Sequence, residues 1–261
     1  MQQNTMFKSK NPNSSARPLC KIDEAGNFGY FPGITVVSSL YPTHRELCSA
    51  IHAALEGSSL IKEYFSLLPA ESYHMTMMDL QTKEGIGDSW NEFISQNLSE
   101  NRKIIQELQT NRICPSIEKM KINIAWSLSI HFVLPEEQEK QIRDVAKTLN
   151  LEKKVPYVFH MTLAYLRPNK EISEAVADQL ENEIKQNISS VINSITMPMK
   201  LAEPQLCYFN DMTCFYPWDA TYNPFSKLSS FQNSWFGFLS KKKNSSDKLV
   251  NNSKENTNCS H

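Results

Sequence analysis

The sequence predicts an α+β fold, antiparallel sheet backed by helices, on three observations. Short extended stretches interleave with longer helical patterns. Extended segments crowd together near 120–134 and 199–216. Only seven glycines occur, with no repeated G-x-G, which argues against a dinucleotide-binding fold or a P-loop, since both need a glycine-rich turn around phosphate.

Each element has its own signal. Helices are expected over 43–56, 59–68, 88–109, 135–151 and 170–195. The clearest is 135–151: it opens with Pro135 suited to a first helical position and acidic residues behind it, then sets Ile142, Val145, Ala146 and Leu149 on one stripe. Strands are expected over 34–40, 73–80, 120–134 and 159–166, and two or three more within 199–218. Segments 1–18 and 241–261 are rich in Asn, Ser and Lys and poor in apolar groups, a composition that predicts disorder.

Composition narrows the function. A chain of 261 residues with 40% hydrophobic residues can bury a proper core. With 27 basic against 28 acidic residues it has no field for coating long nucleic acid, so any nucleotide it handles is small or bound locally. The polar amino terminus lacks a secretory h-region and no apolar run approaches a membrane span, so a cytoplasmic protein is expected. Six cysteines, at 20, 48, 114, 207, 214 and 259, form no C-x-x-C pair and read as reduced thiols.

Two segments share one pattern. Tyr73-His74-Met75-Thr76-Met77 and Phe159-His160-Met161-Thr162-Leu163 each run aromatic, His-Met-Thr, apolar, with their histidines 86 residues apart. In a strand, residues two apart share a face, so each motif sets an imidazole beside a hydroxyl while the methionine turns toward a core. Cleaving a diester or opening a cyclic phosphate needs a base for the attacking water or hydroxyl and an acid for the leaving oxygen. Histidine serves both near neutrality, and threonine hydroxyls can donate to non-bridging phosphate oxygens. With 6 histidines and 12 threonines in the chain, about 0.3 His-x-Thr occurrences are expected by chance. Two in matching strand contexts stand well above that. The chemistry calls for no metal and no cofactor.

These residues resemble the two-histidine (2H) phosphoesterase superfamily, whose mark is a pair of H-x-[T/S]-x-apolar motifs. The resemblance extends to KIDEAGNFGYFPGITVVSSL at 21–40, LPAESYHMTMMDL at 68–80, FHMTLAYL at 159–166 and YFNDMTCFYPW at 208–218. It points to a branch of bacteria and fungi known mainly as a domain of unknown function, and spans about residues 20–220. It implies a bilobal fold in which two small antiparallel sheets line a central cleft with helices outside. It also implies His74, His160, Thr76 and Thr162 as the catalytic set. Superfamily members act on 2′,3′-cyclic phosphates, ADP-ribose cyclic phosphate, 2′,5′-linked oligoadenylates or RNA 3′ ends, so the expected substrate is a small nucleotide or an RNA end.

Other residues read more plainly. His44 and His52 on a helix and His131 in a strand are expected as surface or packed histidines without metal-ligand spacing. Alternation sends Tyr73 and Tyr165 to the face opposite the histidines and into a core, unless a bulge intervenes. Phe209 and Phe215 are candidates for stacking on a base, with packing as the alternative, and Asp211 is expected as a turn-former.

The domain expectation is a catalytic unit over 19–222 and an aromatic-rich segment over 223–240. Within 223–243, Phe225, Leu228, Trp235, Phe236 and Leu239 form an apolar helical stripe followed by three lysines. That segment either packs on the catalytic unit or meets a membrane surface or protein partner. Two further readings stand beside the enzyme: a catalytically inactive nucleotide- or RNA-end-binding protein of the same fold, and a membrane- or partner-associated module. A monomer is expected.

Overall fold

The computed structural model describes residues 21–226 apart from 126, 169 and 171. Two four-stranded antiparallel sheets dominate it, flanked by helices, in the α+β arrangement the sequence predicts. The first sheet orders its strands β10-β9-β1-β3, from β1 (Gly33–Ser39), β3 (His74–Thr82), β9 (Gln205–Phe209) and β10 (Tyr216–Pro217). The second runs β2-β7-β6-β5, from β2 (Phe65–Leu67), β5 (Lys119–Ile124), β6 (Ser127–Val133) and β7 (His160–Leu166). A small ribbon pairs β4 (Ser116–Ile117) with β8 (Met199–Lys200).

Helices α1 (Arg45–Glu56) and α2 (Ser59–Tyr64) follow the first strand, and α3 (Lys83–Ile86), α4 (Trp90–Gln96) and α5 (Leu98–Asn111) follow β3. Helix α6 (Glu136–Thr148) precedes β7 and α7 (Glu174–Ile192) follows it. Helix α7 buries Leu180, Ile184 and Ile188 and packs against α1 and β5, while α5 packs on β9. Helix α6 buries Ile142, Val145 and Ala146 from the predicted stripe, and Pro135 stands just before it as the N-cap.

The structure corrects several sequence-based boundaries. The helix expected over 59–68 stops at Tyr64, because Phe65, Ser66 and Leu67 pair with Leu166, Tyr165 and Ala164 as an edge strand. Long-range pairing overrides a local helical pattern. The helix expected over 88–109 is divided at Asn97, which ends α4, starts α5 and donates its side-chain Nδ2 to the Phe93 carbonyl at 2.8 Å. The stretch 120–134 is a hairpin of two strands, β5 and β6. The helix expected over 170–195 is shorter at both ends, opening where Ser173 Oγ accepts from Val176 N.

Both motif strands carry a bulge at the same place. Thr76 pairs with Val37 and Met78 with Val36, leaving Met77 as the extra residue; Thr162 pairs with Ser129 and Ala164 with Leu128, leaving Leu163. A bulge lets two residues oppose one and resets which face the following side chains occupy. In each motif the bulged residue and its successor are buried.

No described helix is long and apolar enough to cross a membrane. Cys48 and Cys207 are buried free thiols and Cys114 and Cys214 exposed ones; Cys20 and Cys259 lie outside the described residues.

Candidate active site

His74 opens β3 and His160 opens β7, and these two strands approach each other between the sheets. Each imidazole is anchored in the same way. His74 Nδ1 lies 2.6 Å from the Ser72 carbonyl oxygen, and His160 Nδ1 lies 3.0 Å from that of Val158, in both cases the residue two positions back. A carbonyl has no proton to give, so Nδ1 carries the hydrogen and donates it. In the neutral ring Nε2 is then the free base, and in the charged ring it is the acid. Both rings are half-buried, as are Thr76 and Thr162.

The faces follow from register. On the first sheet, Ser39 opposes His74, Val37 opposes Thr76, and Gly33 opposes both Thr82 and Phe209, so His74, Thr76 and Phe209 share a face. On the second, His131 opposes His160, Ser129 opposes Thr162 and Ser127 opposes Tyr165. His131, expected as a surface or packed histidine, therefore stands beside the catalytic candidate, with ring centroids 6.2 Å apart. Tyr165 is corrected as well. It is buried, but the bulge at Leu163 turns it to the face of His160 and Thr162. Tyr73 keeps its expected core position.

Lys21 joins the two sides. Its Nζ donates to the Tyr165 hydroxyl at 3.4 Å and sits 5.1 Å from the Tyr165 ring centre and 5.3 Å from that of Phe31. It is held by the turn that follows. Gly29 N donates to the Lys21 carbonyl, and Asn27 N donates to the Asp23 carboxylate at 2.8 Å. Gly26 takes φ +87°, and a β-carbon there would come within 2.7 Å of Ser66 Oγ and 2.9 Å of Arg167 Nε.

The electrostatics distinguish the histidines. Burial pushes the His74 pKa down, the Ser72 carbonyl opposes that, and the charges of His160 and Lys21 lower it further, to about 4. His74 is therefore neutral at physiological pH. His131 is also lowered, first by burial and then by His160 and Lys121.

Phe215 packs 4.1 Å from the His74 ring, centroid to centroid, and 5.1 Å from Phe209. The two phenylalanines picked out in the sequence thus form a wall beside His74. Phe209 lies across Gly33, where a β-carbon would fall 2.3 Å from the ring.

Residues 21–130 match the family model described as "2H-phosphodiest: Domain of unknown function (DUF1868)". Over these residues the chain is similar to the 2H phosphoesterase superfamily, as its two motifs suggest. The matched segment holds the first motif and ends one residue before His131; the second motif lies beyond it. Among solved structures, a conserved protein of unknown function, ATU0111 from Agrobacterium tumefaciens str. C58, is similar at a TM-score of 0.57 and 17% identity. The similarity covers 76% of this chain and 89% of that one, so the two proteins share a fold. No curated protein matches the chain.

The remaining candidates have partners of their own. His44 sits just before α1 with Nε2 2.6 Å from the Lys200 carbonyl, and His52 lies on α1 near Glu56. Asp211 forms the expected turn, accepting from Thr213 N at 2.7 Å. Among the described residues no group of three or more His, Cys, Asp or Glu side chains is placed to hold a metal ion. A cavity of about 480 Å³ opens elsewhere, between α5 and β9–β10, lined by Leu108, Arg112, Glu203, Trp218 and Tyr222 among others, and touches neither motif. Sequence reasoning missed Lys21, His131 and Tyr165 as neighbours of the motifs.

Proposed function

We propose that this protein is a metal-independent phosphoesterase acting on a cyclic phosphate or phosphodiester of a nucleotide or RNA end. The observation that carries the reading is the pair of Nδ1-anchored imidazoles, each with Nε2 left for proton exchange and each followed two residues on by a threonine. His74, neutral at physiological pH, takes the proton from the attacking water or hydroxyl as its oxygen bonds to phosphorus. His160, protonated on Nε2, gives its proton to the leaving oxygen as the other P–O bond breaks. Thr76 and Thr162 donate to non-bridging oxygens, and Lys21 supplies nearby positive charge against the charge that builds on them.

The test is a turnover panel of 2′,3′-cyclic nucleotides, 2′,5′-linked oligoadenylate, ADP-ribose cyclic phosphate and short RNA with defined ends, run with and without EDTA. The expected result is turnover of at least one substrate that EDTA leaves unchanged, with a bell-shaped pH dependence. Strict dependence on an added divalent ion would overturn the mechanism, and no turnover across the panel would favour a binding protein of the same fold.

A further inference from the structure

The cleft face of the second sheet continues past the motif. His160, His131 and Lys121 form one row across β7, β6 and β5, because His131 opposes His160 on one side and Lys121 on the other. Register partners in an antiparallel ladder project to the same face, so all three side chains rise from one surface. The row spans two strand spacings, about 10 Å from the His160 backbone to that of Lys121. Lys119 stands two residues before Lys121 on the same face, and both lysines are exposed. No aspartate or glutamate occurs in β5, β6 or β7. Cationic groups accumulate here with no carboxylate from these strands to neutralise them.

His131 ties the row together. Its ring lies 6.2 Å from that of His160, and its imidazolium is disfavoured by burial and by the charges on both sides. An anion arriving over the row reverses that balance, since opposite charge favours the protonated ring and gives it a donor for the ligand.

We infer that Lys121 and His131 form a second phosphate subsite beside the reacting group. The substrate class is then one in which another phosphate flanks the scissile one; this part rests on the phosphoesterase reading above. That phosphate is either the 5′-phosphate of a nucleotide or the internal diester of an oligonucleotide.

Three substrates test it: a nucleoside 2′,3′-cyclic phosphate, the same compound carrying a 5′-phosphate, and a dinucleotide ending in the cyclic phosphate. The wild type should prefer one of the two-phosphate substrates over the first by about tenfold or more in kcat/KM, mainly through KM. The preferred one identifies the source of the second phosphate. Lys121→Met should collapse that ratio toward one and Lys121→Arg should keep it, while Lys103→Met, on the exposed face of α5, should leave it as in the wild type. A wild-type ratio near one, or a ratio unaltered in Lys121→Met, overturns the subsite. If the wild type turns over none of the three, calorimetry with adenosine 3′,5′-bisphosphate against adenosine 3′-monophosphate separates the two ideas. A preference for the bisphosphate that Lys121→Met abolishes upholds the subsite while the catalytic reading falls, and equal affinities overturn the subsite as well.

Discussion

Phe215 lies with its ring centre 4.1 Å from that of His74, tilted by 55°, and so takes the place water would hold against that imidazole. Burial is the largest influence keeping His74 near pKa 4. Phe215→Ala should therefore raise the His74 pKa toward its ordinary 6.5, read by NMR titration of the ring proton on Cε1. If His74 acts as the base, the acidic limb of kcat/KM moves up with it. A titration that stays where it was would show that Phe215 does not desolvate the ring.

The same shift makes stability depend on pH. His74 holds its proton less tightly in the folded chain than in the unfolded one, so between about pH 6.5 and 4 the unfolded state binds more protons. Stability from this group is present above 6.5 and lost as pH falls through that window, by at most about 3 kcal/mol. His131, lowered in the same direction, adds to the loss. Urea unfolding at pH 7 and pH 4.5 should give a smaller difference for His74→Gln than for the wild type.

On the proposed mechanism, replacing either motif histidine removes one proton-transfer partner. His74→Ala and His160→Ala should each lower turnover by about 10²–10⁴. Thr76→Ala and Thr162→Ala, which leave acid and base in place, should cost roughly 10–10². A folded histidine variant turning over at the wild-type rate would end the assignment.

Gly33 makes room for Phe209, and a methyl group there would sit 2.3 Å from the ring. Gly33→Ala should cost about 1–3 kcal/mol in chemical denaturation, because the ring has to move. Phe215, which leans on Phe209, should shift too and carry the wall beside His74 with it. At Gly85 the added carbon would meet only Thr82 Oγ1, at 3.7 Å, so Gly85→Ala should stay within about 0.5 kcal/mol of the wild type.

Phe225 is buried against Trp90 and Tyr208, at 5.1 and 5.9 Å between ring centres, and Asn223 donates to the Asn91 carbonyl and Ser95. A chain ending after Tyr222 loses this anchor and should unfold more easily by about 3–5 kcal/mol. Leu228, Trp235, Phe236 and Leu239 lie outside the described residues.

The motifs were legible because strand alternation is local: His-x-Thr puts imidazole and hydroxyl on one face whatever the strand pairs with. Their surroundings were not. His131 becomes a neighbour of His160 only through the β6–β7 register, and Tyr165 changes face only through the bulge at Leu163. Lys21 reaches Tyr165 across 144 residues of chain. Phe65, Ser66 and Leu67 continue a helical pattern and become a strand because Leu166 and its neighbours offer a ladder. Each of these depends on a partner distant in sequence, which periodicity does not encode.

The bulges at Met77 and Leu163 complete a local correspondence between the two motifs: the same three residues, the same carbonyl anchor two positions back, the same interruption after threonine. A site made of two such equivalent halves has no inherent direction. Attacking and departing oxygens could exchange places by a half-turn of the phosphate. Here the neighbours break the equivalence, since a phenylalanine covers one imidazole and a second histidine flanks the other. On the proposed mechanism, exchanging those neighbours while leaving both motifs intact should reverse which end of the substrate departs.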